Sequence, residues 1–315
     1  MSAVANALPG VPAGGLSRAQ SGALLLLAAL IWGSAFVGQA LGMAGVGPFA
    51  FTGVRFLLGA LVVLPLAWRE SRQLRAEGHR RGRADAAWIG LLGLLLCTGV
   101  VLQQIGLVTT TVTNAGFLTA LYVPLVPLLA WMVQRQLPHW SVWPASIGCL
   151  AGTWLMTGAS LQQLSTGDLW VLASTLPWAL HVLLVGRIAN RLRGAYTLAC
   201  GQFFVCALLS GAIGAFTEPI TADGLRTAAG AILYTGIVSV GIGFTLQVVG
   251  QRHAHPADAA IILSSETVFA AFFGALFMGD RLGASGLAGA ALILACIIAI
   301  QVQPLLAARF KPQSR

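Results

Sequence analysis

The chain has 315 residues, 57% hydrophobic and only 9% charged, whereas about a quarter of the residues in an ordinary soluble domain are charged. This composition excludes a water-soluble globule. The net charge of +9 would suggest nucleic acid in a soluble protein, but the placement of the charges along the chain argues against that partner.

Crossing the roughly 30 Å apolar core of a bilayer takes about 20 apolar helical residues. Residues 1–20, rich in Gly, Ala and Pro, are expected to be disordered. The first apolar run, 21–41, is too long for a signal-peptide core and is followed by others, so it reads as a retained helix. Further spans are predicted at 47–68, 86–108, 113–133, 141–159, 168–186, 196–216, 228–250, 258–278 and 284–303, with a basic tail at 304–315. The short alternating segments of a transmembrane barrel are absent. The predicted fold class is therefore an all-α integral membrane protein with ten transmembrane helices.

With a cytoplasmic N-terminus, these spans put fifteen of the eighteen Lys and Arg residues on the cytoplasmic side. Six of them lie in "RESRQLRAEGHRRGRAD" (69–85). Only Arg226 and Arg281 fall opposite, and Arg55 lies within a span. This asymmetry follows the positive-inside rule and predicts a multi-pass protein with both termini in the cytoplasm. The Arg cluster reads as a topology signal that also contacts anionic lipids, with no nucleic acid as partner. The five cysteines, all in apolar spans, lack metal-ligand spacing. Neither a metal nor a cofactor is expected.

The halves align on one another. Trp32 falls on Trp178 at a shift of 146 residues, and Gln103 on Gln247, Gly106 on Gly250 and Asn114 on Asp258 at a shift of 144. Two five-span repeats are expected, 21–159 and 168–303. Because five is odd, the second copy would enter the membrane from the opposite face. Such inverted repeats characterise secondary transporters, although duplication in a channel or scaffold produces the same pattern.

The segments "WGSAFV" (32–37), "RFLLGALVVLPL" (55–66), "NAGFLTALYVPLVPLLAWM" (114–132) and "ETVFAAFFGALFMGDRLGASGLAGAALILA" (266–295) resemble the EamA branch of the drug/metabolite transporter (DMT) superfamily. The resemblance implies a carrier of the bacterial inner (plasma) membrane, often an exporter of amino acids, other metabolites or toxic compounds. The family's repeat ending, an apolar run followed by Gly-Glu-Arg-Leu, survives as "GDRL" at 279–282, while the first copy reads "QRQL" at 134–137 and lacks the acid.

Three ionisable groups lie inside predicted spans. Arg55 and Glu266 each sit about eight residues, or ~12 Å of helical rise, from opposite span ends, so they approach a common depth. They read either as a buried ion pair that fixes packing or as a binding site. In the second reading Arg55 takes a carboxylate or phosphate and Glu266 takes an ammonium or a proton. A carboxyl removed from water favours its neutral form, which suits a proton carrier. His181 reads first as a hydrogen-bonded packing residue. Trp32 and Trp178 are expected as an aromatic wall. Gln103, Gln247, Asn114, Tyr122 and Ser265 are candidates for binding a polar solute, each equally suited to bridging helices.

The expected function is secondary active transport by alternating access: efflux of small metabolites, amino acids or drug-like compounds, with a homodimer compatible with the sequence. An intramembrane enzyme acting on lipid is the alternative, but the clustered acids, nucleophile motif or metal constellation it requires are missing. A channel or non-transporting scaffold is the other alternative.

Overall fold

The computed structural model describes residues 16–135, 140–156, 165–281 and 283–309. Among these residues the chain is helical, with no strand. Helix α1 (Arg18–Gly42) starts three residues before the predicted span because Ser17 caps it: its Oγ accepts the Gln20 N–H, and the Gln20 side chain accepts the Ser17 N–H. Residues 1–15 of the expected disordered segment lie outside the described residues.

Helix α2 (Pro48–Ala76) begins with Pro at its first turn, where a missing N–H costs nothing. Helix α3 (Arg83–Gly106) follows, then α4 (Val112–Thr119), α5 (Tyr122–Gln134) and α6 (Val142–Met156). The second half contains α7 (Thr166–Arg191), α8 (Ala195–Thr217) and α9 (Ala222–Leu233), which runs through a π-helix (Tyr234–Phe244) into α10 (Thr245–Gln251). The chain continues as α11 (Pro256–Leu263), α12 (Glu266–Phe277) and α13 (Ala284–Arg309).

With α4–α5, α9–π–α10 and α11–α12 each taken as one segment, eight helices are long and apolar enough to cross a membrane. The fifth and tenth predicted spans correspond to α6 and to α13, and the latter covers the whole of 284–303. At the fifth, α6 has 15 described residues, and at the tenth the apolar part is the shorter stretch Ala284–Ala299. The predicted residues 157–159, like 310–315 of the basic tail, lie outside the described residues.

Three predicted spans are not regular α-helices. At Ala120–Leu121, and again 144 residues later at Ser264–Ser265, the bonds tighten to i→i−3: Leu121 N–H reaches Leu118 O at 3.2 Å, and Ser265 N–H reaches Ile262 O at 3.2 Å. The third irregularity, the π-helix, spans 11 residues. Its counterpart 144 residues earlier lies within the regular helix α3.

The packing is centred on α2 and α8, which lie antiparallel. Glu70, near the C-terminal end of α2, accepts the Thr197 N–H at 2.7 Å and the Tyr196 N–H at 3.4 Å in the first turn of α8. Glu218, just past the end of α8, accepts the Phe49 and Ala50 N–H groups at 2.9 and 2.7 Å in the first turn of α2. Each helix therefore carries a carboxylate that satisfies the other's orphan donors and complements its dipole. Both N-caps are glycines, Gly47 and Gly194, and a Cβ at Gly194 would stand 2.9 Å from Glu70 Oε2. Between the caps, the Phe56 and Phe203 rings meet edge to face at 5.9 Å.

Around this pair, α1 packs against α9, the π-helix and α10, and against α11 and α12. Correspondingly, α7 packs against α3 and against α4 and α5, and α6 packs on α13. The first helix of each sequence copy thus contacts the third and fourth predicted spans of the other.

Replacing Glu218 with Ala leaves two N–H groups of α2 without their acceptor. We expect a loss of about 1–2 kcal/mol, read as a lowered unfolding midpoint of the purified protein. Glu77→Ala, which removes an exposed carboxylate bonded only to Gln73, should leave the midpoint unchanged.

Candidate functional site

Seven of the ten residues singled out from sequence line one central cavity: Trp32, Arg55, Gln103, Tyr122, Trp178, Gln247 and Glu266. Its aromatic wall is continuous. Trp178 stacks on Phe244 with centroids 5.9 Å apart and planes 10° from parallel, and Trp32 leans on the same ring at 4.6 Å. The Trp32 indole N–H donates to the Ser239 carbonyl of the π-helix at 3.4 Å, while that of Trp178 is buried without a protein partner.

Arg55 is 2% exposed, and its guanidinium lies 5.4 Å from the Phe51 ring centroid and 5.3 Å from that of Phe56. These faces supply partial compensation to a cation. Its Nε has no hydrogen-bond partner. Glu266 is buried at the first position of α12, directly after the i→i−3 turn that joins it to α11. Among the described residues the ion pairs are Arg18–Asp258, Arg191–Asp85 and Arg226–Asp223. Arg55 and Glu266 therefore share a cavity without pairing, and the expectation that they could meet directly is not realised.

The remaining polar lining is underused by the protein. Gln103 donates to Thr119 Oγ1 at 2.7 Å, but both amide atoms of Gln247 and the Gln39 Oε1 are buried without partners. Buried polar atoms are nearly always bonded, and these unpartnered groups make the cavity the candidate binding site.

The two tight turns shape the cavity. Tyr122 and Glu266 are the first residues of α5 and α12, 144 residues apart, and both face inward. The Oγ groups of Ser264 and Ser265 donate to the Ile261 and Ile262 carbonyls, each at 2.7 Å, which adds side-chain bonds to the backbone at the turn.

Three predicted residues lie outside the cavity. Ser265 is occupied by that bond. Asn114 sits in the first turn of α4, partly exposed, with its N–H capped by Thr111. His181 is fully buried behind Trp178, with Nε2 2.9 Å from Gln202 Oε1 and its ring edge-on to the indole.

Sequence reasoning missed Phe36, Gln39, Val100, Val182, Ser239 and Phe244. A usable signal existed. Phe36 and Val182 each lie one helical turn beyond the paired tryptophans, and Val100 and Phe244 share the 144-residue offset of Gln103 and Gln247. Among the described residues no cluster of three His, Cys, Asp or Glu side chains is arranged to hold a metal ion.

The profile of the EamA-like transporter family matches this chain twice, over residues 20–158 and 165–301. The chain belongs to the EamA-like transporter family. An uncharacterized transporter of Archaeoglobus fulgidus is 30% identical over 289 residues, covering 92% of this chain and 88% of that protein. The uncharacterized transporter YwfM of Bacillus subtilis is 26% identical over 290 residues, covering 89% and 93%. A solved crystal structure 20% identical in sequence superposes with a TM-score of 0.72 over 94% of this chain and 100% of that one, a likeness of fold alone.

In this EamA-like chain the seat of Glu266 depends on Gly33. A Cβ there would stand 2.8 Å from Ala270 N and 2.9 Å from Glu266 O, in the first turns of α12. Gly33→Val should therefore push α1 from α12 and cost about 1–3 kcal/mol, measured by thermal unfolding. Gly230→Ala, where a Cβ meets nothing within 4 Å, should leave the midpoint unchanged or raise it.

Proposed function

We propose that the chain is a secondary active transporter of the inner membrane, with ten spans in two inverted five-helix repeats (21–159 and 168–303) and both termini in the cytoplasm. It exports small metabolites, amino acids or drug-like compounds by alternating access. The observation that carries this reading is the cavity holding Arg55 and Glu266, two buried and mutually unpaired charges, between two copies of one sequence motif. A charge is costly in such a place and is retained where a solute or proton completes it.

The pairing of lining residues across the copies supports the inverted arrangement. Trp32 with Trp178, Gln103 with Gln247 and Tyr122 with Glu266 come from equivalent positions of the two copies and line one cavity. The antiparallel course of α2 and α8, which are themselves equivalent spans, supports it too.

In this mechanism Arg55 draws a carboxylate or phosphate of the solute, and Glu266 takes its ammonium or, in its absence, a proton. Trp32, Trp178 and Phe244 supply an apolar wall for the remainder of the solute. Binding satisfies Gln247 and Arg55 Nε. Exchange of the two copies' conformations then exposes the cavity to the other side. A proton gradient or solute exchange supplies the driving force.

The test compares solutes outside bacteria producing the wild type, Glu266→Gln, Arg55→Gln or vector alone, at matched membrane levels of protein. We expect a solute class enriched outside with the wild type and reduced about tenfold or more by either substitution, with Glu266→Gln also abolishing any response to the pH gradient. Equal profiles in all four strains would refute export, and wild-type export by both variants at equal protein would remove the two charges from the mechanism.

A further inference from the structure

A second polar pocket lies far from the central cavity, at the C-terminal end of α2, lined by Ser71, Leu74, Arg75, His79, Arg80 and Arg81. The local backbone creates it. Helix α2 ends with Gly78 at φ 81°, and His79 N–H bonds back to Leu74 O at 2.8 Å. This is the left-handed helix ending that glycine permits. The chain is thereby folded back along α2, and Arg81 reaches Ser71, ten residues earlier, with Nη1 2.8 Å from its Oγ.

The charge of this pocket is not compensated from within. Each nearby carboxylate is already engaged: Glu70 caps α8, Glu77 accepts from Gln73, and Asp85 accepts the Gly82 N–H and pairs with Arg191. No acid lines the pocket. Arg81 bonds only hydroxyls, those of Ser71 and Thr197, and its Nε is buried without a partner. Among the described residues the side chains of Arg75, His79 and Arg80 make no hydrogen bond or ion pair. Burial lowers the pKa of Arg81, and the neighbouring Arg75 adds to the shift, against opposing attraction from Glu70 and Asp85.

The position along α2 bears on the ligand. Trp68 is 58% exposed, with Arg72 over its ring at 4.9 Å, an arrangement typical of a membrane–water interface. Arg75 lies seven residues further, or ~10 Å along the helix, within reach of lipid headgroups and open to the aqueous phase.

We propose that this pocket binds a negatively charged phosphate group, held by the guanidinium groups of Arg75, Arg80 and Arg81 with His79 as a further donor. Guanidinium forks match phosphate oxygens in geometry and charge. The group is carried by an anionic phospholipid or arrives as free phosphate. Because Arg81 also bonds Thr197, the residue whose N–H Glu70 caps, an occupant tightens the contact between α2 and α8 at that end. This site stands independently of the transport reading, since its test requires no transport.

The test uses the full-length purified protein as wild type, Arg75→Gln/Arg80→Gln, and a charge-matched control, Arg69→Gln/Arg187→Gln. Thermal unfolding is followed in detergent with added inorganic phosphate, and in nanodiscs of phosphatidylglycerol or phosphatidylcholine. We expect phosphate or phosphatidylglycerol to raise the midpoint by about 2–4 °C in the wild type and the control, and by less than half as much in the double variant. A rise with phosphatidylglycerol alone identifies the lipid as the source, and a rise with free phosphate identifies the ion as sufficient. No rise with either probe, or an equal rise in the double variant, overturns the proposal.

Discussion

Two carboxylates exchanged between α2 and α8 organise this molecule. Lipid offers little apolar drive for helices to associate, so what holds them in register must be close packing and polar bonds at defined heights. Glu70 and Glu218 supply such bonds at the two ends of one antiparallel pair. With both ends pinned, the Phe56–Phe203 contact falls between them, and Arg55, one residue before Phe56, is held at the depth where the cavity opens.

Membrane-buried backbone tolerates irregularity only where its polar groups find partners or line a cavity. The turns at Ala120–Leu121 and Ser264–Ser265 meet both conditions. Serine hydroxyls take carbonyls at one, and Thr119, bonded to Ala115 O at 2.7 Å, does so at the other. The residue that follows each turn starts a new helix facing the cavity.

Much of this was legible in the chain and some was not. Long apolar runs located eight of the membrane-length helices, because hydrophobic length is a direct physical requirement for crossing lipid. The turns within the fourth and ninth predicted spans were hidden, since 113–133 and 258–278 contain no Gly-Pro or charge-rich break at Ala120–Leu121 or Ser264–Ser265 and a shift to i→i−3 bonding leaves the hydropathy unchanged. The π-helix was hidden for the same reason. Arg55, Glu266 and the two tryptophans were recoverable because an ionisable or large aromatic group in an apolar run demands an explanation. His181 sits as the hydrogen-bonded packing residue it read as, with Nε2 on Gln202, while Asn114 opens a helix outside the cavity. Phe244 and Val100 carry no such flag, and only their repeat-related positions distinguish them from ordinary packing.

The π-helix at Tyr234–Phe244 has no equivalent in α3, and this difference bears on energetics. Two identical halves exchanging roles would produce a pair of conformers related by a two-fold axis in the membrane plane, with the same free energy, and the carrier would rest equally in both. A segment wound with more residues per turn in only one half removes that degeneracy. It positions the Ser239 carbonyl for Trp32 and turns Phe244 toward Trp178, contacts that the other half has no means to reproduce. In a carrier of this design the resting bias between the two faces of the membrane would be a property of the protein's own winding, present before any gradient or solute acts on it.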